Sequence, residues 1–102
     1  MARFDVYRFA HGGVPFVVDV QASLLSHLSS CVVVPLVPKL GAHREDLPRL
    51  KPSLSVRGET FLMVTTDLTA MPLSDLGAFV ENIEDRHGDE ILEALDFLIS
   101  GF

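Results

Sequence analysis

The sequence predicts a mainly β domain finished by one C-terminal α-helix, and three observations carry that reading. Short alternating or β-branched apolar runs, separated by Gly and Pro turns, recur between residues 4 and 66. Near the end, Ile91, Leu92, Leu95, Leu98 and Ile99 fall at the i, i+3, i+4, i+7 spacing of a helix with one broad apolar face. The 102 residues fit a single domain, residues 1–102, large enough for one core without staples, and the lone Cys31 excludes an internal disulfide.

Phe4-Asp5-Val6-Tyr7-Arg8-Phe9 alternates and reads as a first strand, with Phe4, Val6 and Tyr7 or Phe9 competing for its inner face. His11-Gly12-Gly13 turns the chain into a second strand, Val14 to Gln21, with Pro15 near its start where a missing N–H is tolerated. The serine-rich stretch 22–30 reads as a loop, and because Leu24 and Leu25 are adjacent they cannot both face inward from an extended chain. Cys31 to Leu36 has the β-branched composition of a central strand covered on both faces, with Pro35 marking its approaching end. Cys31 itself reads as a buried hydrophobe of a reducing compartment.

Pro38, Pro48 and Pro52, with Gly41, Arg44, Arg49 and Lys51, make 38–53 a long polar loop. Leu54 to Arg57 and Thr60 to Thr66 form a second hairpin around Gly58-Glu59. Leu73 to Ile83 is expected to be short extended or irregular chain, since Gly77 weighs against a helix there. The final helix is expected to begin near Glu84 or Asp89 and to run to Ile99, with Glu84, Asp85, Asp89 and Glu90 near its positive end. Ending on Ile-Ser-Gly-Phe calls for a reason, either packing of Phe102 against the body or an apolar terminus presented to a partner.

Charge narrows the function classes. The net −6 divides into +2 for residues 1–66, with seven Lys/Arg against five Asp/Glu, and −8 for residues 67–102, with one against nine. A region this acidic argues against direct nucleic-acid binding, whose affinity comes from Lys and Arg. Its plain reading is a solvated helix face. No apolar run approaches the roughly 20 residues that span a bilayer, and no positive region precedes a long apolar stretch, so the expected location is cytoplasmic, without membrane association.

Chemistry is sparse. His11, His27, His43 and His87 lie in four loop-like stretches without a second ligand at i+3 or i+4, so they read as surface residues, and neither metal nor cofactor is expected. Gly12-Gly13 has no following helix or lysine to make a phosphate cradle. In Thr65-Thr66-Asp67 the acid reads as a turn cap rather than a catalytic group. No G-x-S-x-G motif is present, and the expectation is a protein that is not an enzyme.

Several landmarks in order, Phe-Val-Val-Asp-Val-Gln at 16–21, Val-Val-Pro-Leu at 33–36, Met-Val-Thr-Thr-Asp-Leu at 63–68, Met-Pro-Leu-Ser-Asp-Leu-Gly at 71–77 and the closing helix with Ser-Gly-Phe, resemble the CcdB family of toxins over nearly the whole chain. The resemblance implies a small bent SH3-like barrel of the CcdB/MazF type with a C-terminal helix, working as a homodimer. It implies a toxin of a type II toxin–antitoxin system that binds the A subunit of DNA gyrase and traps the cleaved-DNA complex without catalysis of its own. A cognate CcdA-like antitoxin would neutralise it. Carried over by position, the target-contacting residues would be Leu24, Leu25, Asp96, Ile99, Ser100, Gly101 and Phe102.

One position departs from the pattern. Known gyrase poisons of the family carry a Trp just before the terminal Gly, where this chain has Ser100, and it contains no Trp at all. A desolvated cation–π contact is worth ~2 kcal/mol, roughly thirtyfold in binding per copy. The departure motivates an alternative, a CcdB-fold antitoxin-binding protein that does not poison gyrase. A MazF-like endoribonuclease is the more distant one, against which the charge weighs.

Overall fold

The structure, a computed structural model, describes residues 1–39 and 47–101. Residues 40–46 of the expected 38–53 loop, with His43, and the terminal Phe102 lie outside the described residues. Among the described residues seven strands and one α-helix follow in order: β1 (Asp5–His11), β2 (Val14–Asp19), β3 (Ser30–Pro38), β4 (Ser53–Val56), β5 (Glu59–Met63), β6 (Thr69–Pro72), β7 (Phe79–Asn82) and α1 (Glu84–Ser100). All pairings are antiparallel, in the order β4-β5-β3-β2-β1-β7, and β6 pairs with the first half of β3. The sheet curls into a half-barrel, as expected of a small bent sheet with a C-terminal helix.

The β1–β2 hairpin closes through Gly12 and Gly13, both at positive φ, which glycine adopts without a Cβ penalty. Phe4 does not belong to the first strand, as its alternation suggested. It sits at φ 74°, fully buried, with its N–H donating to the Asp19 carbonyl at 2.6 Å and its carbonyl accepting from Ile83 at 3.1 Å. This positive φ in a bulky residue is held by those two bonds and by burial.

β3 is the central strand, and its side chains alternate between two apolar clusters. Val34 and Leu36 join the main core with Phe4, Val6, Ile91 and Ala94, while Cys31 and Val33 face the other side with Val17. The competition on β1 resolves the same way: Val6 enters the main core, and Tyr7 and Phe9 pack on the second cluster. Pro35 does not end the strand, which continues to Pro38. Its carbonyl accepts from Val64 at 3.0 Å, between the stretch paired with β6 and the stretch paired with β5. The missing N–H thus falls at the seam where β3 changes partners.

Leu73 to Ile83 is not a helix, as expected, but it contains more order than irregular chain. A 3₁₀ turn at Leu73–Asp75 leads into edge strand β7, and Gly77 donates to the Arg8 carbonyl at 2.9 Å. A Cβ at Gly77 would stand 2.7 Å from that same oxygen, so the close approach demands glycine.

α1 starts at the earlier of the two expected positions and buries Gly88, Ile91 and Ala94, with Leu92 and Leu95 partly buried beside them. Gly88 lies inside the helix against the Phe4 ring, which a Cβ would meet at 3.4 Å, an ordinary contact distance. Ile83 occupies the N-cap position, and just before it Asn82 Oδ1 accepts from Glu84 N–H at 2.9 Å.

Candidate interaction site at the end of the helix

The grip of the core on α1 ends at Leu95. Beyond it Phe97 is half-buried, Leu98 is 37% exposed and Ile99 is 79% exposed, so the last turn presents two aliphatic side chains to solvent. Asp96 and Ser100 are exposed beside them, and Gly101 closes the helix in the left-handed conformation at φ 81°, donating to the Phe97 carbonyl at 2.9 Å. One ring and one cation fasten this end: the Arg49 guanidinium lies over Phe97 at 4.9 Å from its centroid, and Arg49 Nε approaches Glu93 Oε1 at 3.4 Å.

Leu24 and Leu25 form a 3₁₀ turn with Ser23, and Leu24 is the most exposed large apolar side chain among the described residues at 86%. Both leucines are exposed, Leu25 less so. The turn is tied to the start of the chain by the Arg3 N–H, which donates to Ser23 Oγ at 2.9 Å, and Arg3 in turn pairs with Glu84 at 3.6 Å. That anchors it toward the first turn of α1, whereas Ile99 lies roughly 20 Å further along the axis at 1.5 Å per residue. Among the described residues, no hydrogen bond or ion pair joins Leu24 or Leu25 to residues 96–101.

Buried polar groups form a separate cluster. Asp5 accepts from Tyr7 Oη at 3.1 Å, from Asn82 Nδ2 at 2.9 Å and from Ala2 N–H at 2.9 Å. Burial, then that bond to the Asp5 carboxylate, pushes the Tyr7 phenol well above its ordinary range. Burial also raises the Asp19 carboxyl, against the lowering effect of the Cys31 thiol and of Gln21 N–H at 2.8 Å. The Cys31 thiol is pushed up to about 12 by burial and by neighbouring Asp19. It is buried and stays protonated, consistent with a packing residue and not with a nucleophile.

His87 is not a loop residue. It lies on α1 with its side chain 14% exposed, accepts the Ser55 N–H at Nε2 over 3.0 Å, and faces Glu90 through Nδ1 at 2.8 Å. This is the one His–carboxylate pair among the described residues, and both ring nitrogens are engaged. Asp67 sits in a 3₁₀ turn whose buried member is Thr65, with its hydroxyl on the Leu50 carbonyl at 2.5 Å. No three His, Cys, Asp or Glu side chains cluster to hold a metal among the described residues. No helix among them is long and apolar enough to cross a membrane.

Sequence reading missed Arg49 and Phe97. They are 48 positions apart, and Phe97 falls outside the apolar stripe that defined the helix, so only the folded chain pairs them.

Curated protein sequences offer no match to the chain. Among solved structures it is similar to an endoribonuclease in complex with its cognate antitoxin from Mycobacterial species, with TM-score 0.74, 16% identity, and coverage of 94% of this chain and 91% of that one. It is also similar to Mycobacterium tuberculosis toxin MazF-mt6, with TM-score 0.69, 12% identity and coverage of 92% and 93%. An endoribonuclease from Mycobacterial species gives TM-score 0.70 at 17% identity, covering 94% and 88%. Likeness at these identities shows the shared fold. The sequence itself matches the family described as CcdB protein over residues 3–101, almost its whole length, and the chain therefore belongs to the CcdB family, the toxins of toxin–antitoxin systems.

Proposed function

We propose that this chain acts as a gyrase-directed toxin: as a homodimer in the cytoplasm it binds the A subunit of DNA gyrase, traps the cleaved-DNA complex, and is neutralised by a cognate CcdA-like antitoxin. The observation that carries the reading is the exposed aliphatic turn at Leu98 and Ile99 in a chain of the CcdB family. A helix terminus that leaves Ile99 79% exposed fits a surface that gains by being covered. The chain acts by binding and not by catalysis, a reading supported by the protonated, buried Cys31 and by His87, whose ring has no nitrogen left for proton transfer.

Gyrase supercoiling and DNA-cleavage assays with purified protein test this. Dose-dependent inhibition with accumulated cleaved DNA is expected; neither effect at high concentration, across several gyrases including the host's, would sink the proposal.

A second reading has its own observation. Ser100 stands where gyrase poisons carry Trp, and the nearby Phe97 ring is already covered by Arg49. This favours an antitoxin-binding protein of the same fold that leaves gyrase untouched, which would show tight antitoxin binding with normal supercoiling. The endoribonucleases of similar fold suggest RNA cleavage as a third activity. Incubation with cellular RNA addresses it, and site-specific cuts would replace the binding mechanism.

A further inference from the structure

We propose that Arg49 is a positioning residue that fixes the exposed helix end for docking onto its target. The inference rests on the gyrase reading only for its functional consequence. After Leu95 no side chain of α1 belongs to the core, so the orientation of Leu98 and Ile99 depends on what holds Phe97. Arg49 is well placed to do this because its own backbone is anchored. The Leu50 carbonyl accepts from the fully buried Thr65 hydroxyl, and the Pro52 carbonyl accepts from Met63 N–H at 3.0 Å. A chain of contacts therefore runs from the sheet through residues 50–52 to Arg49, and from its guanidinium to Phe97 and Glu93. Asp96 and Ser100 have no hydrogen bond or ion pair from their side chains among the described residues, which leaves the Arg49–Phe97 stack as the polar tie of the last turn.

The planar guanidinium matters more than the charge alone, since it can lie flat on a ring while its Nε faces a carboxylate. An exposed cation–π contact of this kind changes an equilibrium by roughly fivefold.

Hydrogen exchange read by NMR on the full chain tests the clamp. Arg49→Ala should speed exchange at the Leu98, Ile99, Ser100 and Gly101 amides by about fivefold, leaving Ile91 and Ala94 unchanged. Arg49→Lys should recover part of the loss. In a Phe97→Leu background the Arg49→Ala effect should shrink to less than about twofold, because the remaining exposed pair with Glu93 contributes little. Trapping of cleaved DNA by Arg49→Ala should need about fivefold more protein, with folding stability lowered by no more than the roughly fivefold change in equilibrium that the lost contact accounts for. Unaltered exchange, an equal effect without the Phe97 ring, or faster exchange with unchanged potency would each overturn the proposal. Wild-type protein inert on gyrase would remove the functional reading, while the exchange series still decides whether Arg49 holds the helix end.

Discussion

Ile99 and Ile91 are the same residue type two turns apart on one helix, and the fold gives them opposite work. Ile91 is fully buried and Ile99 is 79% exposed. Ile91→Ala should cost about 2–5 kcal/mol, the transfer of the lost methyl groups plus a cavity, and urea unfolding would measure it. Ile99→Asp should change stability by less than about 0.5 kcal/mol, as exposed substitutions do, while abolishing the gyrase inhibition proposed above. A substantial loss of stability in that variant would show that Ile99 packs and is not presented. The period of the helix was legible in the sequence; the point where its face leaves the core was not, because that depends on where the curled sheet ends beneath it. Asp19 offers a second test. Its folded carboxyl is raised above the ordinary value by burial, so the stability linked to it is full below the unfolded pKa and is lost as pH rises through the folded one. Asp19→Asn keeps an oxygen for Gln21 N–H and removes that dependence. The variant should gain on the wild type between acid and neutral pH, whereas parallel unfolding curves from pH 3 to 7 would contradict the assignment.

At the level of elements, the most informative feature is the gap between edge strands β4 and β7, which side chains bridge. Arg57 Nη2 donates to the Val80 carbonyl at 2.8 Å, and Glu81 accepts from Arg57 N–H at 2.8 Å and from Arg86 at 3.0 Å. Arg86 also reaches the Ser55 carbonyl at 2.9 Å, while His87 takes the Ser55 N–H. These bonds occupy backbone groups that an open edge would offer to another strand. The Arg57 N–H, ahead of the Arg86 guanidinium, holds the Glu81 carboxyl below its usual value. Its contribution is therefore present above the unfolded pKa and is lost as pH falls through the folded one. Glu81→Gln should cost about 1 kcal/mol at pH 7, the scale of a well-placed exposed pair, and the cost should vanish in acid; a loss that persists at pH 3 would point to packing instead. Strands β1 to β5 could be read from alternation and β-branched runs, because each carries several residues of its own pattern. The short strands β6 and β7 could not, since four residues apiece with mixed burial leave no period, and their order comes from pairing with β3 and β1.

For the whole molecule the question is what this chain does with a fold it shares with endoribonucleases. The half-barrel is common ground, and function lives in the residues placed on it. Among the described residues three basic side chains pair at the surface with acids: Arg3 with Glu84, Arg49 with Glu93 and Arg86 with Glu81. Residues 67–102 carry a net −8, which disfavours contact of that region with a phosphate backbone. The homodimer proposed above would give a toxin of this size further contact area from a second copy. The second apolar cluster lies on the sheet face away from α1, topped by half-buried Tyr7 and Met71, with Phe79 57% exposed at its edge against Tyr7. A two-fold pair would also present two helix ends and two Leu24–Leu25 turns, so residues roughly 20 Å apart along one chain need not come from one copy to meet one target. Sedimentation at micromolar concentration should therefore give twice the mass of the chain. A monomer under those conditions, still able to trap gyrase, would show that one helix end suffices and that the two leucines are not part of the contact.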